Sequence, residues 1–145
     1  IPPQYISAEA VVERSIIGEG SEIHGEVYNS VIGPGVVIKK GSVVRNSIIM
    51  KQSFIGENVT IDKAIIAENV TVGNNVVMGV GEDVPNKEKP SVYSFGLVTI
   101  GENSVIPADV KIGINTAIVG ETTPEDYPDG ELASGETLNK EGETA

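Results

Sequence analysis

The sequence predicts an all-β fold, a parallel β-helix with three short strands and three corners in each coil. Three observations predict it. A short phrase recurs after 15, 17 and 17 residues: "RSIIGEG" at 14–20, "NSVIGPG" at 29–35, "NSIIMKQ" at 46–52 and "KAIIAEN" at 63–69. Aliphatic residues return in steps of 6, 6 and 5, through Ile32, Ile38, Val44, Ile49, Ile55, Ile61 and Ile66. Two places before each stands a small or β-branched residue: Ser30, Val36, Ser42, Ser47, Ser53, Val59 and Ala64. A sandwich of alternating strands has period 2 and no need for a small residue at every sixth position. One coil cannot bury its own core, so stacking must supply it.

The same register extends both ways. Upstream it runs through Ile6, Val12, Ile17 and Ile23, and downstream through Ile100, Ile106, Ile112 and Ile118. About six to seven coils are expected over residues 1–120. The coil from Ile17 to Ile32 has only 15 residues, with Val27 as the inner residue of its third face, so "HGEVYNS" must turn a tighter corner. Glycine often follows the aliphatic residue, as at Gly18, Gly33, Gly56, Gly73, Gly101 and Gly113, and is expected to relax the backbone there. Residues 79–97 break the rule with Pro85, Pro90 and a charged run. They read as a loop leaving after Met78 and returning near Val98. Residues 121–145 carry few large apolar side chains and are expected to form an acidic, irregular tail.

Composition narrows the function. The 145 residues contain no cysteine, which removes disulfides and thiolate chemistry. Lys plus Arg number 10 against 21 Asp plus Glu, a net charge of −11, which disfavours nucleic acid as a partner. Eight acidic residues and one lysine from Glu121 onward supply −7 of that charge, so the repeats themselves are only mildly acidic. No run approaches 18 apolar residues, so no membrane partner is expected. No signal peptide opens the chain, and it begins with Ile1. It reads as a piece of a longer, cytoplasmic protein.

Candidate chemistry is sparse. The one histidine, His24, follows the inner Ile23 and is expected to face outward as an ordinary surface residue. The carboxylate pairs Glu82–Asp83 and Glu125–Asp126 fall on expected loops, where nothing orients them. No phosphate-cradling GxxxxGK[ST] loop is present. The cations Lys39, Lys40, Arg45, Lys51, Lys63 and Lys111 are scattered over the coils, and Arg45 and Asp62, 17 apart, are expected to pair. No catalytic, cofactor-binding or metal residue is assigned, and no cofactor is expected on this chain.

Residues 2–113, with "PPQYI" at 2–6, "GEVYNSVIGPGVVI", "VVRNSIIM", "AIIAENVTVG", "VTIGENSVIP" and the 15-residue short coil, resemble the carboxy-terminal domain of bacterial glucose-1-phosphate adenylyltransferase. The resemblance to hexapeptide-repeat proteins implies a left-handed coil. It implies a parent nucleotidyltransferase that uses Mg²⁺ to make ADP-glucose and pyrophosphate from ATP and glucose 1-phosphate for glycogen synthesis. The nucleotide loop and metal carboxylates would lie in an amino-terminal catalytic domain absent here, so none is carried over. The β-helix would pack on that domain, support a tetramer of identical or closely related subunits, and help shape a site for a sugar-phosphate or nucleotide effector. Two alternatives stand beside it: the β-helix of another sugar-phosphate nucleotidyltransferase, such as a mannose-1-phosphate guanylyltransferase, and a free-standing hexapeptide-repeat acyltransferase with a working histidine.

Overall fold

A strand of two or three residues points one or two side chains inward, too few to exclude water alone. Each strand therefore depends on partners in the coils above and below. A computed structural model describes residues 4–79, 81, 84, 86–87 and 96–140, wound into seven coils. Coil one holds β1 (Tyr5–Ile6), β2 (Val11–Glu13) and β3 (Ile16–Ile17), and coil two β4 (Glu22–Ile23), β5 (Glu26–Tyr28) and β6 (Val31–Ile32). Coil three holds β7 (Val37–Ile38), β8 (Val43–Arg45) and β9 (Ile48–Ile49), and coil four β10 (Phe54–Ile55), β11 (Thr60–Asp62) and β12 (Ala64–Ile66). Coil five holds β13 (Thr71–Val72), β14 (Val77–Met78) and β15 (Val98–Ile100), and coil six β16 (Val105–Ile106), β17 (Lys111–Ile112) and β18 (Thr116–Val119). Coil seven adds β19 (Glu131–Leu132) and β20 (Thr137–Asn139). The first strands of successive coils form a six-stranded sheet, and the second and third strands form two seven-stranded sheets.

The third sheet stacks Ile17, Ile32, Ile49, Ile66, Ile100, Ile118 and Leu138 in one inward column. From Ile32 to Ile118 this column is buried. Ile17 is only half-buried and Ile6 is 42% exposed, because coil one has a neighbouring coil on one side alone. The small residues form a second column with a job beyond size. The backbone N–H groups of Ser30, Ser47 and Ala64 donate to the hydroxyls of Ser15, Ser30 and Ser47 at 3.0, 3.1 and 3.1 Å. Each of those hydroxyls donates in turn to the carbonyl two residues before it. Serine thus satisfies a corner N–H that no strand pairing reaches. Ala64 ends this ladder, and Val98 N–H goes to the Lys63 carbonyl instead.

Glycine's role differs from the expected one. Gly18, Gly33, Gly56, Gly73, Gly101 and Gly113 do not take positive φ. The next coil runs too close: a Cβ on Gly33 would stand 2.8 Å from Lys51 N, and one on Gly73 would stand 2.6 Å from Ala108 N. The left-handed positions lie at the corners themselves, where Asn29, Asn46, Asn58, Asn69, Asn75 and Asn103 have φ between 51° and 60° or at 61°. Asparagine tolerates that region better than other side chains. The short coil saves its residues between β4 and β5, where Gly25 lies so near the Ser42 carbonyl that a Cβ would collide with it.

Two expectations are corrected. The stretch from Glu121 is not irregular as far as Lys140, since β19 and β20 pair with β17 and β18 and complete a seventh coil. Few large apolar residues suffice there because three reach the core: Tyr127, Leu132 and Leu138. Residues 141–145 lie outside the described residues. Arg45 and Asp62 are neighbours in register, as their spacing requires, but do not form an ion pair. Arg45 lies 5.7 Å from the centre of the Tyr28 ring, and Asp62 accepts from Asn46 at 3.2 Å. Most of the 79–97 excursion lies outside the described residues. Coil five is interrupted between Met78 and Val98, and the described part is tied to coils six and seven. Buried Asn86 donates to the Asn115 carbonyl at 2.9 Å and to Thr137 Oγ1 at 3.1 Å, and Lys87 N–H donates to the Gly135 carbonyl.

Ile49→Ala should destabilise the fold by about 2–5 kcal/mol through the lost transfer and the cavity left in the column. Ser47→Ala should cost about 1–3 kcal/mol because it orphans the Ala64 N–H. Denaturant unfolding monitored by circular dichroism measures both. In coil seven, burial pushes the Tyr127 phenol up to about 12, partly offset by its hydrogen bond with Thr122. The raised value means that the unfolded chain ionises first. Stability is full below the ordinary phenol pKa of about 10 and falls as pH rises toward 12. Tyr127→Phe should remove that alkaline loss, read from melting temperatures between pH 9 and 12.

Candidate functional site

Alternation along a strand sends every second side chain outward, so stacking builds outward rows as well as the core. On the third sheet one such row runs Ile16, Val31, Ile48, Ile65, Thr99, Ala117 and Thr137. Its first four members are aliphatic. Ile16 is 68% exposed, Val31 and Ile48 are each 42% exposed, and Ile65 is half-buried. Met50, at the following corner, is also exposed. Four stacked aliphatic side chains in one row form a continuous apolar stripe rather than scattered surface residues. Beyond coil four the row turns small or polar. Outward-facing Ala117 is nevertheless buried, beside Thr137 and the Asn86 contact. Asn86 and the bare stripe therefore lie toward opposite ends of one face.

The remaining candidates resolve into structural or surface roles. His24 lies on the outside of the first sheet, with its ring 5.5 Å from that of Tyr5 and Nε2 3.5 Å from a Glu22 carboxylate oxygen. Asp126 closes a short 3-10 turn: it accepts from Thr123 N–H at 2.8 Å and from Lys140 Nζ at 3.0 Å. The Thr123 backbone bond, then the Lys140 bond, hold its carboxyl below the usual range. Glu82 and Asp83 lie outside the described residues. Lys39 sits 5.8 Å from the centre of the Phe54 ring, while Lys111 points outward from the second sheet. Among the described residues no three His, Asp or Glu side chains converge as a metal would require. No helix among them is long and apolar enough to cross a membrane. Sequence reading did not single out the stripe, although its signal is present: the aliphatic residue before the inner one is itself aliphatic at Ile16, Val31, Ile48 and Ile65.

Residues 4–100 match the model of the GlmU-like, C-terminal hexapeptide family. The chain belongs to this family. Its fold is the left-handed parallel β-helix of hexapeptide repeats. This hexapeptide domain is 59% identical over 143 residues to a glucose-1-phosphate adenylyltransferase of Lachnospira eligens, covering 99% of the chain and 34% of the relative. It is 43% identical over 143 residues to that of Acetivibrio thermocellus, covering 99% and 34%. It is 56% identical over 136 residues to that of Thermotoga neapolitana, covering 94% and 32%. The chain thus spans about a third of the length of these relatives. Among solved structures, the acetyltransferase domain of PglB from Neisseria gonorrhoeae is similar with a TM-score of 0.53 at 19% identity, covering 97% of this chain and 56% of that one. A hexapeptide transferase family protein from Anaplasma phagocytophilum has a TM-score of 0.52 at 14% identity, covering 94% and 69%. At those identities the likeness is one of fold alone.

Ile48→Lys should leave the unfolding free energy of the 145-residue chain nearly unchanged, within about 0.5 kcal/mol, because the side chain is outside the core. Ile49→Lys, one residue on, should prevent folding. Circular dichroism of the two variants checks this contrast.

Proposed function

We propose that this hexapeptide domain is the regulatory and oligomerisation part of a glucose-1-phosphate adenylyltransferase. The longer enzyme would join ATP and glucose 1-phosphate to give ADP-glucose and pyrophosphate for glycogen synthesis in the cytoplasm. Its nucleotide loop and Mg²⁺ carboxylates would belong to a region outside this chain. The observation that carries the reading is the identity of 59% over nearly the whole chain, confined to a third of the relative's length. That pattern fits one part of a larger enzyme. The aliphatic stripe supports the assembly role, since an exposed apolar row of this length is a surface suited to packing against protein. We assign it to docking on the remainder of the enzyme, whose subunits associate as tetramers under the control of a sugar-phosphate or nucleotide effector. The likeness to acetyltransferase domains does not extend past the fold and lends no support to acyl transfer.

In the full-length protein, Ile48→Lys should shift the assembly from tetramer to smaller species by light scattering and lower ADP-glucose formation several-fold. An unchanged tetramer with unchanged turnover would refute the docking assignment. The 145-residue chain by itself should release no pyrophosphate from ATP and glucose 1-phosphate. Release that survives repurification of the chain would overturn the division of labour proposed here.

A further inference from the structure

The chain contains two arginines, Arg14 and Arg45, against a net charge of −11. Stacking brings both to one groove, at the corner between the second and third sheets, lined by Arg14, Tyr28, Asn29, Arg45 and Asn46. The corner row runs Arg14, Asn29, Asn46 and Lys63, all with φ between 48° and 56°. Three hydrogen bonds link it. Arg14 Nε donates to Asn29 Oδ1 at 3.2 Å, Asn29 Nδ2 to Asn46 Oδ1 at 3.1 Å, and Asn46 Nδ2 to Asp62 Oδ1 at 3.2 Å.

The ends of this chain dictate its direction. A guanidinium can only donate and a carboxylate only accept, so both amides between them must point the same way. Each amide then keeps one spare N–H. Arg14 keeps its two terminal nitrogens, and the Arg45 guanidinium makes no hydrogen bond or ion pair with the described residues, lying instead beside the Tyr28 ring. Glu13 and Asp62 stand in register on either side of Tyr28 and Arg45, yet neither pairs with an arginine. Glu26 accepts from the Tyr28 hydroxyl, and that bond leads the causes that raise the phenol's pKa. The groove is therefore left with a surplus of oriented donors, two of them guanidinium forks beside an aromatic ring.

We propose that this groove binds the phosphoryl groups of a small anion. Guanidinium forks match phosphoryl oxygens in paired, charge-assisted hydrogen bonds. Arg14 and Arg45 leave the backbone two coils apart, about 10 Å at the spacing of paired strands, which favours an anion with two phosphoryl groups over one.

Calorimetric titration of the 145-residue chain with inorganic pyrophosphate, inorganic phosphate and succinate tests the proposal. Pyrophosphate should bind saturably and more tightly than phosphate, and succinate weakly. Arg14→Gln and Arg45→Gln should each weaken pyrophosphate by about tenfold or more. Arg45→Lys should weaken it too, since the charge stays but the fork is lost. Lys111→Gln, on another face, should leave it unchanged. Circular dichroism establishes that each variant is folded, and Arg14→Lys replaces the glutamine variant if that one is not. Absence of saturable pyrophosphate binding, equal weakening by Lys111→Gln, or succinate binding as tight as pyrophosphate would each overturn it.

Discussion

Every coil in this protein is too small to exclude water by itself, and its strands have no partners within the coil. Inter-coil stacking therefore supplies both the core and the backbone hydrogen bonds at once. Ile49 is buried because Ile32 and Ile66 lie against it from the two adjacent coils. Where one neighbour is missing the same residue type is exposed, as at Ile6. The serine column belongs to the same constraint. At the corners the strand ladder cannot reach every N–H, and the hydroxyl of the coil before supplies the acceptor. Size and hydrogen bonding thus select serine together, and above Ala64, which has no hydroxyl, the Val98 N–H takes the Lys63 carbonyl instead.

Stacking also governs the surface. A residue at a corner has as its neighbour the corner residue of the next coil, 15 or 17 positions away in the first four coils. Left-handed backbone at Arg14, Asn29 and Asn46 repeats the same outward projection three times, and their side chains join end to end. On the strands the repeat acts through alternation. It places Ile16, Val31, Ile48 and Ile65 in one exposed row while their sequence neighbours fill the core. A polar groove and an apolar stripe therefore arise from one repeated geometry, on adjacent parts of the same coils.

The two ends of the β-helix are finished differently. Coil one leaves Tyr5 and Ile6 substantially exposed at the end where the chain begins. Coil seven replaces its first strand with two short 3-10 turns, which carry Tyr127 into the core. Asp126, bonded to Thr123 and Lys140, holds the turn shut. The acidic character of this stretch is compatible with order because its charges face outward while three apolar side chains face in.

The sequence by itself determined the repeating core. Period, small residue and short coil were legible because each reflects a constraint within a few residues: an inward aliphatic, a narrow corner, a missing pair of positions. The seventh coil was not legible: Tyr127, Leu132 and Leu138 resume the short steps only after a gap of nine residues from Ile118, with acidic and proline residues between, and their packing on coil six is what makes them a core. Glycine's role was misjudged for a related reason, since the atom that excludes a Cβ at Gly33 belongs to Lys51 in the next coil. The pairing of Arg45 was settled in the same way. Spacing put Asp62 beside it, but the Tyr28 ring and the Asn46 amide took the two charges as their partners. Register along the chain specifies which residues are neighbours. Which neighbours bond is decided in three dimensions, where side chains from three coils compete for the same space.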